Sequence, residues 1–177
     1  MTSSTMVAIL SMANKAVFFD RDGTLNVDIH FLHRPEDFEW ISEAKEAIKY
    51  VNDHGYLAIL VTNQSGVARG YYPESDVRIV YDWMNEQLAV VGAHLDALYY
   101  CPHHPSGTVP EYTRICSCRK PSPQLINDAC EKYQIDKQQS YFVGDTDNDM
   151  QCAVNAGISG IRYQGGSLLR AIKSFIR

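Results

Sequence analysis

Short apolar segments alternate with stretches of helical periodicity, and that alternation constrains this chain more than any other feature. Lys15-Ala16-Val17-Phe18-Phe19 runs straight into Asp20, Leu57 to Val61 into Thr62, and Tyr141-Phe142-Val143 into Gly144-Asp145. Leu95 to Tyr100 is a further strand, and a short strand and a terminal helix close the chain. Between them, Ser42 caps a helix through His54 that Gly55 stops. A second helix runs from about Pro73 to Val91, with Val77, Val80, Met84, Leu88 and Val91 at helical spacing and Tyr81 and Trp83 as packing residues. Ser122-Pro123 opens a third helix, and a fourth reaches Ala156 before Gly157.

Strands that are apolar throughout are covered on both faces, so the pattern predicts an α/β fold, a doubly wound parallel sheet. In such a sheet ligands gather at the carboxyl ends of the strands. Asp20, Thr62, the loop carrying Lys120, and Asp145 would therefore converge. No repeat or linker interrupts residues 15–177, which read as a single domain. Residues 1–14 read as a tail, disordered or preceding a true start at Met12.

A net charge of −5 argues against a broad grip on nucleic acid, and no apolar run is long enough to span a bilayer. Phosphate recognition would have to come from a few local groups. An odd count of 5 cysteines, three of them in a metal-like pattern, points to a reducing cytoplasm rather than a disulfide framework.

Asp20-Arg21-Asp22-Gly23-Thr24 places two carboxylates two residues apart directly after a strand. A polar turn has the same composition. Asp145 and nearby Asp149 add a third and a fourth acid at the same end of the sheet, and so many carboxylates need a cation among them. Their hard oxygens favour magnesium.

This pattern resembles the haloacid dehalogenase superfamily of phosphatases over nearly the whole chain: Asp20 to Thr24, then Thr62, then Lys120, then Gly144-Asp145 with Asp149. The resemblance implies a Rossmann-like sheet and a covalent mechanism. Asp20 would be the nucleophile and Asp22 the acid and then base. Thr62 and Lys120 would hold the phosphoryl oxygens, and Asp20, Asp145 and the backbone carbonyl of Asp22 would hold Mg2+. Asp149 would orient Lys120 or water. Thr146 carries no assigned role.

Cys101-Pro102-His103, a twelve-residue spacer, and Cys116-Ser117-Cys118 supply three thiols and an imidazole in two close pairs, the donor set of a structural zinc site. His104 is the rival to His103, whereas Cys130 and Cys152 belong to apolar helix faces. Cys-x-His, a spacer and Cys-x-Cys-Arg-Lys-Pro resemble a branch that holds the D-glycero-D-manno-heptose-1,7-bisphosphate 7-phosphatases and the histidinol-phosphate phosphatases. The match includes Asn26, Thr62 to Gly70 and Cys101 to Pro105. The long spacer is that of the heptose enzymes.

The resemblance thus implies a small sugar phosphate as substrate, losing its C7 phosphate in nucleotide-activated heptose biosynthesis. Histidinol phosphate is the alternative and a polynucleotide 3′-phosphate the more distant one. By the same resemblance Arg21, Asp28, Ile29, His30, Phe31, Thr62, Asn63, Gln64, Ser65, Arg119 and Lys120 contact the substrate, with Arg119 reading the distal phosphate. With about twenty residues between Asp22 and the first helix, a large cap domain is excluded, and the zinc loop at 101–118 would wall an open site. A monomer is expected.

Overall fold

In the computed structural model, which describes residues 13–177, Lys15–Phe19 forms β1 at the centre of the sheet. The expected tail falls mostly outside the described residues. Asn14, placed in that tail by sequence, is exposed and tied to the fold by hydrogen bonds. Its backbone N–H donates to the Gln134 carbonyl at 3.0 Å and its Nδ2 to the Tyr133 carbonyl at 2.6 Å.

Strands β2 (Tyr56–Asn63), β3 (Ala97–Cys101), β4 (Tyr141–Gly144) and β5 (Ser159–Arg162) complete a sheet ordered β3-β2-β1-β4-β5. Every pairing is parallel. Helices α1 (Ala44–Asp53), α2 (Ser75–Ala89), α3 (Gln124–Tyr133), α4 (Asp147–Ala156) and α5 (Leu168–Lys173) cover it.

The two faces explain why the strands are apolar throughout. Side chains alternate along a strand, so Val17 and Phe19 enter a core with Ile48 and Val51 of α1, Met84 and Leu88 of α2 and Ile172 of α5. Ala16 and Phe18 enter the opposite core with Ile126 and Ala129 of α3 and Cys152 and Ala153 of α4. Cys130 and Cys152 are packing residues there, at 8% and 0% exposure. Tyr81 also packs, its hydroxyl donating to the Leu95 carbonyl at 3.1 Å.

Three element boundaries depart from the sequence reading. Ser42 does not cap α1: the helix starts at Ala44 behind Glu43, which has a left-handed backbone, φ 58°, and no side-chain cap bond. Ser42 instead offers its carbonyl to the Leu168 N–H at 3.2 Å, so the chain's closing helix uses the group. Helix α3 starts at Gln124 with Pro123 in the cap position, leaving Ser122 Oγ as a 3.4 Å acceptor from the Gln124 N–H. The third strand is shifted toward the carboxyl side and includes Cys101, read from sequence as loop.

Residues 20–43 run as irregular chain with one short turn at Pro35–Asp37, so no large cap domain stands over the sheet. Among the described residues no helix is long and apolar enough to cross a membrane.

Candidate active site

The strand order decides where the site lies. With β1 central, the chain leaves toward β2 on one side and returns to β4 on the other, and crevices open at such a switch point. Asp20 follows β1 and its N–H donates to the Val143 carbonyl of β4 at 3.0 Å. Asp145 follows β4, Thr62 sits near the end of β2, and Lys120 comes from the loop after β3.

Lys120 closes the arrangement. Its Nζ, 3% exposed, donates to Asp20 Oδ1 at 2.8 Å, Asp149 Oδ1 at 2.6 Å and the Val61 carbonyl at 3.1 Å. An ammonium has three protons to give, and all three are used. Burial opposes the lysine's charge, but Asp20 and Asp149 outweigh it and raise its pKa.

The carboxylates divide unequally around that one cation. Burial pushes Asp20 up to about 7 against the pull of Lys120, with Asp149 adding to the rise. Burial, then Asp149, raises Asp145 as well. Burial would raise Asp149 too, yet Lys120 and the Thr146 contacts hold it below the usual carboxylate range. Asp149 is the standing counter-ion of Lys120, and Asp20 and Asp145 are short of positive charge.

One oxygen of each of Asp20, Asp145 and Asp149 lies within 4.8 Å of the others. That donor set fits a hard divalent cation. Gly23 shows how tightly Asp145 is drawn in: at φ +81° a Cβ there would lie 2.2 Å from Asp145 Oδ2.

Asp149 has a second task. Thr146 accepts from the Asp149 N–H at 3.2 Å while Asp149 Oδ2 accepts from the Thr146 N–H at 3.1 Å, a reciprocal cap on α4. The Thr-x-x-Asp spacing carried that signal, and the sequence reading assigned Thr146 nothing.

Asp22 lies across the site in a cage of donors. Arg21 reaches both its oxygens at 3.0–3.2 Å, Asn26 Nδ2 reaches Oδ1 at 3.1 Å and Gln64 Nε2 reaches Oδ2 at 3.1 Å. Arg21, expected among the substrate contacts, is absent from the lining of the cleft over the site and turns inward. It is 2% exposed, and its guanidinium is spent on Asp22, the Leu32 carbonyl at 2.6 Å and Gln64 Oε1 at 3.2 Å.

A cleft of about 240 Å³ opens above these groups, lined by Asp20, Asp22, Asp28, His30, Phe31, Asn63, Gln64, Ser65, Tyr72, Lys120, Thr146, Asn148 and Asp149. Ile29, expected beside its neighbours, is absent from that lining and is 49% exposed. The chain turns just after it, where His30 and Phe31 take left-handed backbone at φ 59° and 56°. Thr62 lies just beneath the cleft at 1% exposure. Asn63 exchanges two hydrogen bonds with the Lys120 backbone, at 3.0 and 3.2 Å, so it also holds the catalytic loop to β2. Arg119 is outside the lining, with Nη1 buried and without a protein partner.

Tyr72 was missed by sequence. Nothing in a Tyr-Tyr pair before a helix marks one ring for the site, and only the packing of the 62–72 loop turns it inward.

The second cluster borders the first. Cys101, His103, Cys116 and Cys118 present one donor atom each within 4.8 Å of the others. The sulfurs are 3.0–3.5 Å apart and His103 Nδ1 is 3.2 Å from Cys118 and 3.6 Å from Cys101. Tetrahedral zinc with bonds of about 2.3 Å would set the sulfurs at about 3.8 Å, a small expansion of what is present. No disulfide links these thiols. Burial, then the Arg114 charge, lowers the His103 pKa, which favours the neutral imidazole a metal requires. His104 is outside the cluster, with Nε2 3.2 Å from Arg69 and Nδ1 accepting from the Ser106 N–H.

Comparison with known proteins agrees with this geometry. The Hydrolase_like family, described as HAD-hydrolase-like, matches residues 117–172. A D-glycero-beta-D-manno-heptose-1,7-bisphosphate 7-phosphatase of Haemophilus ducreyi is 46% identical over 148 residues, covering 83% of this chain and 81% of its own. A D-glycero-alpha-D-manno-heptose-1,7-bisphosphate 7-phosphatase of Photorhabdus laumondii is 43% identical over 144 residues, covering 81% and 79%. The crystal structure of the D,D-heptose 1,7-bisphosphate phosphatase from B. bronchiseptica, complexed with magnesium and phosphate, superposes with a TM-score of 0.77. It is 31% identical, covering 90% of this chain and 86% of that one. Strand-end acids, buried lysine and four-donor loop thus stand in a chain that is a phosphoric monoester hydrolase of the haloacid dehalogenase superfamily, and it belongs there to the family of the D-glycero-D-manno-heptose-1,7-bisphosphate 7-phosphatases.

Proposed function

We propose that this enzyme removes the C7 phosphate of D-glycero-D-manno-heptose 1,7-bisphosphate by way of an aspartyl-phosphate on Asp20. The observation that carries the reading is the buried lysine held between Asp20 and Asp149, beside Asp22 in its cage of donors. It supplies a nucleophile, a cation for phosphoryl oxygens and a separate proton carrier around one point.

Asp20 forms the bond to phosphorus while the bond from phosphorus to the C7 oxygen breaks, and Asp22 gives its proton to that oxygen. Asp22, now ionised, takes a proton from water, which attacks the aspartyl-phosphate and releases phosphate. Thr62 donates to one equatorial oxygen and Lys120 exchanges its bond to Asp20 for one to another, where charge spreads in the transition state. Magnesium fits the carboxylates of Asp20 and Asp145 with the backbone carbonyl of Asp22, and when bound it supplies the charge that lets an anionic phosphate approach an anionic nucleophile.

Zinc on Cys101, His103, Cys116 and Cys118 has four protein ligands and so no open position, which makes its role structural. Asp28, His30, Phe31, Asn63 and Ser65 face the sugar across the cleft. The unpartnered Arg119 Nη1 supports a contact to the second phosphate, where a planar guanidinium can pair with two oxygens.

The test is kcat/KM for both anomers of the heptose bisphosphate and for histidinol phosphate, with the product's remaining phosphate located by NMR. Both anomers belong in the panel because relatives of each kind match at 43% and 46% identity. Preferred turnover of the bisphosphate with the C1 phosphate retained is expected. Equal turnover of histidinol phosphate, or loss of the C1 phosphate, overturns the substrate assignment.

A further inference from the structure

Gln64 lines the cleft and was expected to touch substrate, but its side-chain amide has nothing left to offer. Nε2 donates to Asp22 Oδ2 at 3.1 Å and to Thr62 Oγ1 at 2.8 Å. Oε1 accepts from Arg21 at 3.2 Å and from the Tyr72 hydroxyl at 2.7 Å. An amide has two protons and two lone pairs, and all four are engaged. The reversed amide would set Nε2 against a guanidinium that cannot accept and Oε1 against a carboxylate, so only one orientation fits.

That orientation is held from behind. The Tyr72 ring fits only because residue 66 is glycine: a Cβ there would lie 2.1 Å from a ring carbon. His33 stacks on the same ring, with centroids 4.8 Å apart and planes 6° from parallel, and Asp76 of α2 holds His33 Nδ1 at 2.9 Å. Burial pushes the Tyr72 hydroxyl up to about 12, so it remains a donor.

We propose that Gln64 is the positioning residue for Asp22, locked in its working orientation by the Tyr72 hydroxyl, and that neither residue binds substrate through its polar atoms. This rests on Asp22 being the proton donor. A donor to a leaving alkoxide must be held in line with the breaking bond, and Asp22 is a short side chain with a torsion about its carboxyl that packing alone does not set. Arg21 reaches both oxygens of the carboxylate and Asn26 reaches Oδ1, and Gln64 is the second donor to Oδ2. Removing the Tyr72 hydroxyl leaves Arg21 as the single donor to Oε1 and frees the amide to swing.

The test uses leaving groups. An alkoxide leaving from a sugar phosphate needs the Asp22 proton, whereas p-nitrophenolate leaves without one. kcat/KM reports only steps through leaving-group departure, so later hydrolysis of the aspartyl-phosphate does not enter it. Tyr72→Phe, Gln64→Met and Asp22→Asn are compared with the parent enzyme on the heptose bisphosphate and on p-nitrophenyl phosphate, with thermal unfolding to verify folding.

Tyr72→Phe is expected to lower kcat/KM for the sugar phosphate on the order of ten-fold more than for p-nitrophenyl phosphate, a fraction of what general acid catalysis supplies. Gln64→Met should show a larger gap of the same sign. Equal losses of kcat/KM on both substrates, or no loss on either, would overturn the proposal. If Gln64→Met fails to fold, Tyr72→Phe still decides. Asp22→Asn separates the two levels. A selective loss in Asp22→Asn without one in Tyr72→Phe sinks the network alone, and no selectivity in Asp22→Asn sinks the acid assignment with it.

Discussion

A single residue, Arg119, separates the thiol–imidazole cluster at Cys118 from the carboxylate–lysine cluster at Lys120, yet opposite physics builds them. The carboxylate–lysine cluster gathers at the carboxyl ends of β1, β2 and β4, strands mostly buried between two apolar cores, with Asp149 from α4 and Lys120 from the loop after β3. Its polar groups are held in place by a scaffold that would fold without them. The thiol–imidazole cluster takes only Cys101 from a strand, and His103, Cys116 and Cys118 come from irregular chain. Around it Ile115 is 89% exposed, so that loop has little apolar surface to bury. A site at strand ends can afford buried charge because its frame is already paid for, whereas a loop of this kind needs its ligand bonds in order to have a shape.

The comparison can be broken from either side, and the largest effect belongs to the carboxylate–lysine cluster. Asp20→Asn should abolish turnover while leaving zinc content and the unfolding transition intact, because the scaffold does not depend on that carboxylate. Substantial phosphate release by this variant in magnesium would end the aspartyl-phosphate reading. Asp22→Asn should follow, slowing the enzyme by roughly a hundred- to ten-thousand-fold, the span of general acid–base catalysis. Steady-state kinetics on the sugar bisphosphate reads the difference.

A third variant probes how much the scaffold depends on the pairing inside it. Asp149→Ala leaves Lys120 buried with Asp20 as its single carboxylate partner and removes the carboxylate half of the reciprocal cap on α4. Breaking a buried ion pair from one side costs roughly 3–5 kcal/mol, and denaturant unfolding should show a loss of that order. A loss below about 1 kcal/mol, the scale of an exposed pair, would mean that the lysine is not committed to Asp149.

For the thiol–imidazole cluster the order of effects reverses. Cys116→Ser or Cys118→Ser should lower bound zinc below half an equivalent and open the 104–115 segment to limited proteolysis, with a smaller fall in kcat than Asp22→Asn causes. Zinc analysis and protease digestion of the same samples test this. Full activity with the loop cleaved would show the two clusters to be independent despite their adjacency.

The smallest effect is a pH dependence in metal-free protein. Asp20 is raised from its ordinary 3.8 to about 7, and Asp145 is raised in the same direction, both chiefly by burial. An acid with a raised folded pKa favours the folded state while protonated, so its contribution is present below about 4 and is lost as pH rises toward 7. Asp149, held low, has the opposite sign and matters only below about 4. In EDTA, stability should therefore decline between pH 4 and 7, and Asp20→Asn should flatten the decline. Added magnesium should raise Tm more at pH 8 than at pH 5.5, and an equal rise at both would show that protons and metal do not compete for Asp20.

The chemistry was legible in the chain because its residues sit at strand ends. Asp20, Thr62 and Asp145 follow apolar runs, and a parallel sheet brings such ends together whatever its loops do. The thiol–imidazole set was legible for a different reason, the spacing of its two pairs. The direction of Arg21 was not legible, because its position between two acids says nothing about which way a long side chain turns. Its guanidinium went inward, to Asp22 and Leu32, once the 27–32 segment folded over it. Ser42 was misread as a cap because a local preference gave way to the docking of α5.

Sequence alone thus determined the sheet and which acids, thiols and imidazole gather in two clusters, all of which follow from short-range pattern. Tertiary structure alone decided how those groups are held. It set Lys120 between Asp149 and Asp20, at 2.6 and 2.8 Å, and it filled all four positions of the Gln64 amide, with Tyr72 behind it. Such contacts join residues distant in the chain, 29 positions apart for Lys120 and Asp149 and 42 for Asp22 and Gln64. Their geometry depends on how two layers of helix settle on one sheet, and no local period in the sequence records that.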